Sequence, residues 1–203
     1  MAGFEAHERA HHHCVQGPFP GVPVHYLPNL ITLLRLLLVL PTGWCLLRGL
    51  HNWALTLFAV AAVSDAIDGW LARRFDWTSR FGAIADPLAD KLLVLVAYLA
   101  LAVMDVLPLW LVLIVLGRDL LIVLGASAFH VFVAELTPEP SWLGKGHTLA
   151  NLLFLGAILL LLAAPALGSV ESLVAYGGPA LAVLTVLSGA DYVRAWTFRA
   201  LRA

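Results

Sequence analysis

Four aspartates, Asp65, Asp68, Asp86 and Asp90, stand within or at the edge of long apolar runs, where a carboxylate has no ordinary reason to be. An aspartate at the centre of a membrane helix costs about 2.5 to 3.5 kcal/mol, so four would cost on the order of 10 kcal/mol if all were buried, less near the interface. Such a penalty calls for a compensating cation. On helices, the i, i+3 spacing sets Asp65 and Asp68 on one face, and the i, i+4, i+8 spacing lines up Gly82, Asp86 and Asp90 on another. Like charges so close together make sense chiefly around a bound metal. Oxygen donors without His or Cys favour Mg²⁺, Mn²⁺ or Ca²⁺ over zinc. Mg²⁺ usually keeps several waters and is completed by substrate phosphates, so a shallow carboxylate cup implies a phosphate-bearing substrate. Gly69, Ala72, Gly82, Ala83, Ala85 and Ala89 leave room for a ligand, and Arg73, Arg74, Arg80 and Lys91 are placed to neutralise phosphate oxygens. The competing readings are that these cations only anchor the chain at a membrane face and that the small residues only let helices pack closely.

The elements that must carry these residues follow from composition. The chain has 203 residues, 61% apolar and 12% charged, with a mean hydropathy of +0.89. That composition belongs to an integral membrane protein and excludes disordered chains, disulfide scaffolds and basic nucleic-acid binders. Long Leu, Ala and Val runs rather than short alternating strands predict an all-α class. We expect a single bundle of six transmembrane helices, near Leu30–Leu47, Ala54–Leu71, Gly82–Met104, Leu109–Val133, Thr148–Ala164 and Ser172–Trp196. Arg73, Arg74 and Arg80 between the second and third spans, and Arg194, Arg199 and Arg202 at the C-terminus, put those segments and both termini on the cytoplasmic side. Arg48, Asp105 and Glu171 then fall in the opposite turns, and Trp53, Trp77, Trp110, Trp142 and Trp196 sit at span ends as interfacial anchors. Residues 1–27, with His7, His11, His12 and His13 among Gly and Pro and no apolar signal core, read as a flexible tail, leaving 28–203 as the membrane domain. Cys14 and Cys45 suggest neither a disulfide nor a metal site.

Taken together, the string Asp65-Ala-Ile-Asp68-Gly69-Trp-Leu-Ala72-Arg73, eight residues, Gly82, three residues, Asp86, three residues, Asp90 resembles the signature of the CDP-alcohol phosphotransferase (phosphatidyltransferase) family. The resemblance extends to Asn29-Leu-Ile-Thr32-Leu-Leu-Arg35 and to Gly144-Lys145-Gly-His-Thr148, and covers the chain from about Leu27 onward. It implies transfer of a substituted phosphate from a CDP-linked lipid to an alcohol, with release of CMP. It further implies that Asp65, Asp68, Asp86 and Asp90 lie at a site for a pair of divalent ions, Mg²⁺ or Mn²⁺. By the same resemblance Asp90 is the general base, and Gly69, Ala72, Arg73 and Gly82 belong to the nucleotide pocket. Asn29 and Thr32, at near-helical spacing with Arg35, are added to that pocket as candidates; their alternative is an interfacial cap with a snorkelling arginine.

The chain is most similar to the branches of that family that make anionic phospholipids. Their acceptors, glycerol 3-phosphate and phosphatidylglycerol, both carry a phosphate near a free hydroxyl, and Arg118 and Lys145 are the candidates for holding it. The acidic residue after arginine in Gly117-Arg118-Asp119 is aspartate where the glycerophosphate branch usually has glutamate, which leans toward phosphatidylglycerol. Trp142-Leu-Gly-Lys145 followed by Thr148 leans the other way, and glycerol 3-phosphate is the preferred reading. The alternatives are a buried Arg118–Asp119 ion pair and a loop charge at Lys145. A reading from a different class is a cation-coupled transporter, which would place its carboxylates near mid-membrane, in broken helices or an inverted repeat. The resemblance also implies a homodimer in the inner membrane with its site at the cytoplasmic face, and CDP-diacylglycerol and the bilayer as partners; no nucleic acid is expected.

Overall fold

The structure, a computed structural model, describes residues 27–75, 80–132 and 142–200, and within them all side chains except those of 27–32, 68–75, 80–88, 90, 126–132, 196 and 198–200. The described residues form six helices and no strand: α1 (Leu27–Leu47), α2 (His51–Phe75), α3 (Arg80–Val103), α4 (Leu109–Phe132), α5 (Trp142–Ala163) and α6 (Val170–Ala200). The all-α expectation therefore holds. Among the residues with described side chains, Trp142–Ala163 and Val170–Ala195 are long and apolar enough to cross a membrane, and Leu33–Leu47 and Lys91–Val103 form shorter apolar stretches. Charge gathers where α2 ends, with Asp65, Asp68, Arg73 and Arg74, and where α3 opens, with Arg80, Asp86, Asp90 and Lys91. The expected tail, apart from Leu27, lies outside the described residues, as do the segments 76–79 and 133–141.

One boundary moves with consequences for the site. The fifth span is expected to start near Thr148, after Gly144 and Gly146, but α5 begins at Trp142. Gly144 is buried, and the Thr148 hydroxyl donates to its carbonyl at 3.1 Å, the i−4 bond of a continuing helix. Gly144 is buried within the helix and a Cβ on the exposed Gly146 would meet open space, so neither glycine ends a helix and Lys145 is a helical residue, not a loop charge.

Short turns join the helices in pairs. Leu50 N–H donates to the Cys45 carbonyl at 2.8 Å across Gly49, whose φ is 69°, closing α1 with a left-handed cap. Val106 N–H makes the same closure to Leu101 at 3.0 Å across Asp105, at φ 55°, so an aspartate takes the conformation glycine usually supplies. A 3-10 turn over Pro165–Leu167 leads into α6, where Ser169 Oγ accepts from Ser172 N–H at 3.2 Å as the N-cap.

Which helices run parallel follows from the contacts. A Cβ on Gly43 of α1 would lie 2.5 Å from Val96 Cγ1 of α3, and farther along, Leu47 and Val103 line the same open apolar groove of about 790 Å³, so α1 and α3 run parallel. Gly178 and Gly189 of α6 meet Leu111 and Arg118 of α4 in the same order, so those two are parallel as well. All three turns, after α1, α3 and α5, thus lie at one end of the bundle. Helix α1 packs against both α2 and α3, while α5 packs against α2 and α6. The core they share includes Leu46, Tyr98, Leu101, Leu111, Leu155 and Ile158, all at most 1% exposed. Outward-facing positions are also apolar: Leu37, Leu40 and Val103 are each more than 60% exposed, as lipid-facing residues are.

Candidate active site

The ion-paired side chains described within the helices form a layer about 15 to 21 Å from the turn end, roughly midway along α1 to α4. Arg35 of α1 is 1% exposed and pairs through Nη1 with Asp65 Oδ1 of α2 at 2.7 Å, while the Asp65 side chain is 48% exposed. Nothing among the described residues accepts from Arg35 Nε or Nη2. A guanidinium withdrawn from water requires a counter-charge, and Asp65 supplies it. Asp68 follows Asp65 by three residues on α2, and Asp86 and Asp90 lie in the first turns of α3. Their side chains lie outside the described residues, as do those of Asn29, Thr32, Gly69, Ala72, Arg73 and Gly82. Accordingly no metal-ligating cluster occurs among the described residues. Asp65 is a half-exposed carboxylate, and oxygen donors of that kind suit a hard divalent ion.

A second polar group joins α3, α4 and α6. Asp119 of α4 uses its two oxygens separately: Oδ1 accepts from Arg118 Nη1 at 2.7 Å, and Oδ2 meets Lys91 Nζ of α3 at 2.8 Å. Arg118 Nη2 donates to Ser188 Oγ of α6 at 2.8 Å, and the guanidinium lies 5.6 Å from the ring centre of Tyr192. Arg118 is therefore both the ion-paired residue and one of the cations of this layer; its Nε is buried with no partner among the described residues. Lys145, in the first turn of α5, is exposed and lies over the Trp142 ring at 5.0 Å.

Deeper between α5 and α6, His147 is 1% exposed with Nε2 3.0 Å from Thr185 Oγ1. The Thr185 hydroxyl spends its single hydrogen on the Leu181 carbonyl at 2.7 Å, so it must accept from His147, which fixes the Nε2–H tautomer. Tyr98 of α3 donates its hydroxyl to Asn151 Oδ1 of α5. Sequence reasoning assigned no role to Ser188, Thr185, Asn151 or Tyr98, and read Lys91 as a phosphate neutraliser rather than a partner of Asp119. Thr185 and Ser188 did carry a signal: two hydroxyls at i, i+3 in an apolar run share one face.

Comparison with known proteins adds the chemistry these elements serve elsewhere. Residues 25–188 match the CDP-alcohol phosphatidyltransferase family. A CDP-diacylglycerol–glycerol-3-phosphate 3-phosphatidyltransferase of Pseudomonas fluorescens is 38% identical over 183 residues, 83% of this chain and 89% of that protein. A probable phosphatidylglycerophosphate synthase of Mycobacterium tuberculosis is 36% identical over 186 residues, 87% and 82% of the two chains. A cardiolipin synthase (CMP-forming) of Streptomyces coelicolor is 37% identical over 164 residues, 77% and 74% of the two.

Proposed function

Because the chain belongs to the CDP-alcohol phosphatidyltransferase family, we propose that it transfers the phosphatidyl group of CDP-diacylglycerol to a hydroxyl of glycerol 3-phosphate and releases CMP. The observation that carries the choice of acceptor is the 38% identity, over nearly nine-tenths of its length, to a relative named for that reaction. The second reading, phosphatidylglycerol as acceptor, rests on the similarly close cardiolipin synthase and on aspartate rather than glutamate after Arg118.

In this reading the acceptor hydroxyl, whose pKa lies far above neutral, gives its proton to Asp90 as its oxygen attacks the phosphatidyl phosphorus. The bond from that phosphorus to the CMP oxygen breaks, and CMP leaves with the electron pair. Asp65, Asp68, Asp86 and Asp90 would hold a pair of Mg²⁺ or Mn²⁺ ions, which supply charge neutralisation at the pyrophosphate. Asn29, Thr32, Gly69, Ala72, Arg73 and Gly82 bind the nucleotide. Arg118 and Lys145 hold the acceptor phosphate, with the Arg118 plane fixed by Asp119 and Ser188. Rate enhancement comes from placing the two substrates and neutralising charge, with no covalent enzyme intermediate.

The same reading makes the chain a six-span protein of the inner membrane, a homodimer with both termini and the site at the cytoplasmic face. There a soluble nucleotide head and acyl tails in lipid can be accommodated together. The basic Arg73, Arg74 and Arg80 around the connection from α2 to α3 support that sidedness. The test is reconstitution in liposomes with labelled CDP-diacylglycerol, Mg²⁺ or Mn²⁺, and either acceptor. CMP release that depends on glycerol 3-phosphate is expected; dependence on phosphatidylglycerol alone selects the second reading, and no alcohol-dependent release with any acceptor defeats both.

A further inference from the structure

We propose that Lys91 and Asp119 are positioning residues that set the distance between the base and the acceptor's phosphate, an inference that rests on the reaction assigned above. The base and the phosphate anchor sit on different helices: Asp90 on α3, Arg118 on α4. The chain joins α3 to α4 through residues 104–108, at the far end of the bundle. At 1.5 Å per residue, Lys91 lies about 18 Å along α3 from that turn and Asp119 about 15 Å along α4. Elsewhere the two helices touch sparingly, and among the described residues Lys91–Asp119 is the only polar side-chain bond between them.

The geometry of Asp119 suits the task. Its two oxygens engage different cations, so the bond to Lys91 does not compete with the bond to Arg118. Arg118 is 8% exposed and Asp119 17%, so their mutual contact is weakly screened, while Lys91, 38% exposed, meets Asp119 nearer to water. Arg118 is held again from α6 by Ser188. One carboxylate therefore relates the helix of the base to the anchor of the acceptor phosphate, and Lys91 is the immediate chain neighbour of Asp90. A misplacement of about 1 Å between reacting groups can cost roughly 100-fold in rate.

The test is steady-state kinetics of the full chain in liposomes, varying CDP-diacylglycerol and glycerol 3-phosphate separately, with thermal midpoints recorded. Lys91→Met should lower kcat/KM for the acceptor about tenfold or more while the KM for CDP-diacylglycerol moves less than about threefold. Asp119→Asn should lose more, since Arg118 is also released, and Lys91→Met/Asp119→Asn should be no worse than Asp119→Asn alone. Asp119→Glu and Lys91→Arg should recover most of the loss. The proposal is overturned if Lys91→Met leaves acceptor kinetics unchanged. It is equally overturned if the single losses multiply in the double variant, or if both KM values shift together with a fallen thermal midpoint. An active wild type with any of these outcomes removes this proposal alone; a wild type inactive with every alcohol removes the assigned reaction and the proposal together.

Discussion

Removing either member of the Arg35–Asp65 pair leaves the other without its counter-charge, yet the two losses should differ, because Arg35 is 1% exposed and Asp65 48%. Asp65→Asn strands a buried guanidinium, whereas Arg35→Met leaves a carboxylate that water can reach. Breaking a buried pair costs about 3 to 5 kcal/mol when the charge left behind is fully buried and less when it is solvated. In metal-free detergent solution Asp65→Asn should therefore lower the melting midpoint more than Arg35→Met; equal midpoints would mean that Arg35 has another anionic partner. Asp90→Asn tests a different role. It should reduce turnover by about 100-fold or more, the usual worth of a general base, while CDP-diacylglycerol still binds, as measured by titration with the labelled lipid. The aspartates were legible from sequence because their cost in an apolar run is a local property. The Lys91–Asp119 bond was not, since a lysine beside Asp90 reads as a phosphate ligand until the other helix is in view.

At the scale of elements, α1 does more than span. It lies against both α2 and α3, and it comes close to α3 at Gly43, where a Cβ would lie 2.5 Å from Val96. Gly43→Ala should push the helices apart and cost about 1 to 3 kcal/mol, the usual penalty of overpacking. Val96→Ala in the same chain should restore most of the lost thermal stability, and a midpoint for Gly43→Ala equal to wild type would show that α1 adjusts freely. Six helices could be read from apolar runs, but the α5 start could not, because Gly144 and Gly146 look the same in sequence whether they end a helix or lie within one. Nor did local spacing reveal that α1 links the two aspartate-bearing helices: helix-to-helix contact depends on which faces meet, and α1 shows that only through Arg35 and Gly43.

Across the whole molecule the described ion pairs sit in one layer, roughly midway along α1 to α4. The end with the three turns carries the open apolar groove and the exposed Arg48, Asp105 and Glu171, and the layer carries Arg35, Asp65, Lys91, Arg118 and Asp119. The proposed orientation gives a direct expectation. With Cys14 and Cys45 replaced by serine, a cysteine at Thr78 should be labelled by an impermeant maleimide only in inside-out vesicles, and one at Leu167, which is 66% exposed, only in right-side-out vesicles. Labelling of both from the same side would remove the alternating topology. The charge bias in the sequence already suggested this sidedness, since short basic segments are retained in the cytoplasm. The three turns add a mechanical consequence. The first two hairpins are closed by the chain at Gly49 and Asp105, and about 15 to 21 Å along them α1 and α2 are tied again by Arg35–Asp65 and α3 and α4 by Lys91–Asp119. A helix of 24 residues is about 36 Å long, so a tilt of about 5° at the pinned end moves its other end by roughly 3 Å. The same tilt moves the ion-paired layer by roughly half as much, so the Arg35–Asp65 and Lys91–Asp119 pairs resist the parting of their hairpins.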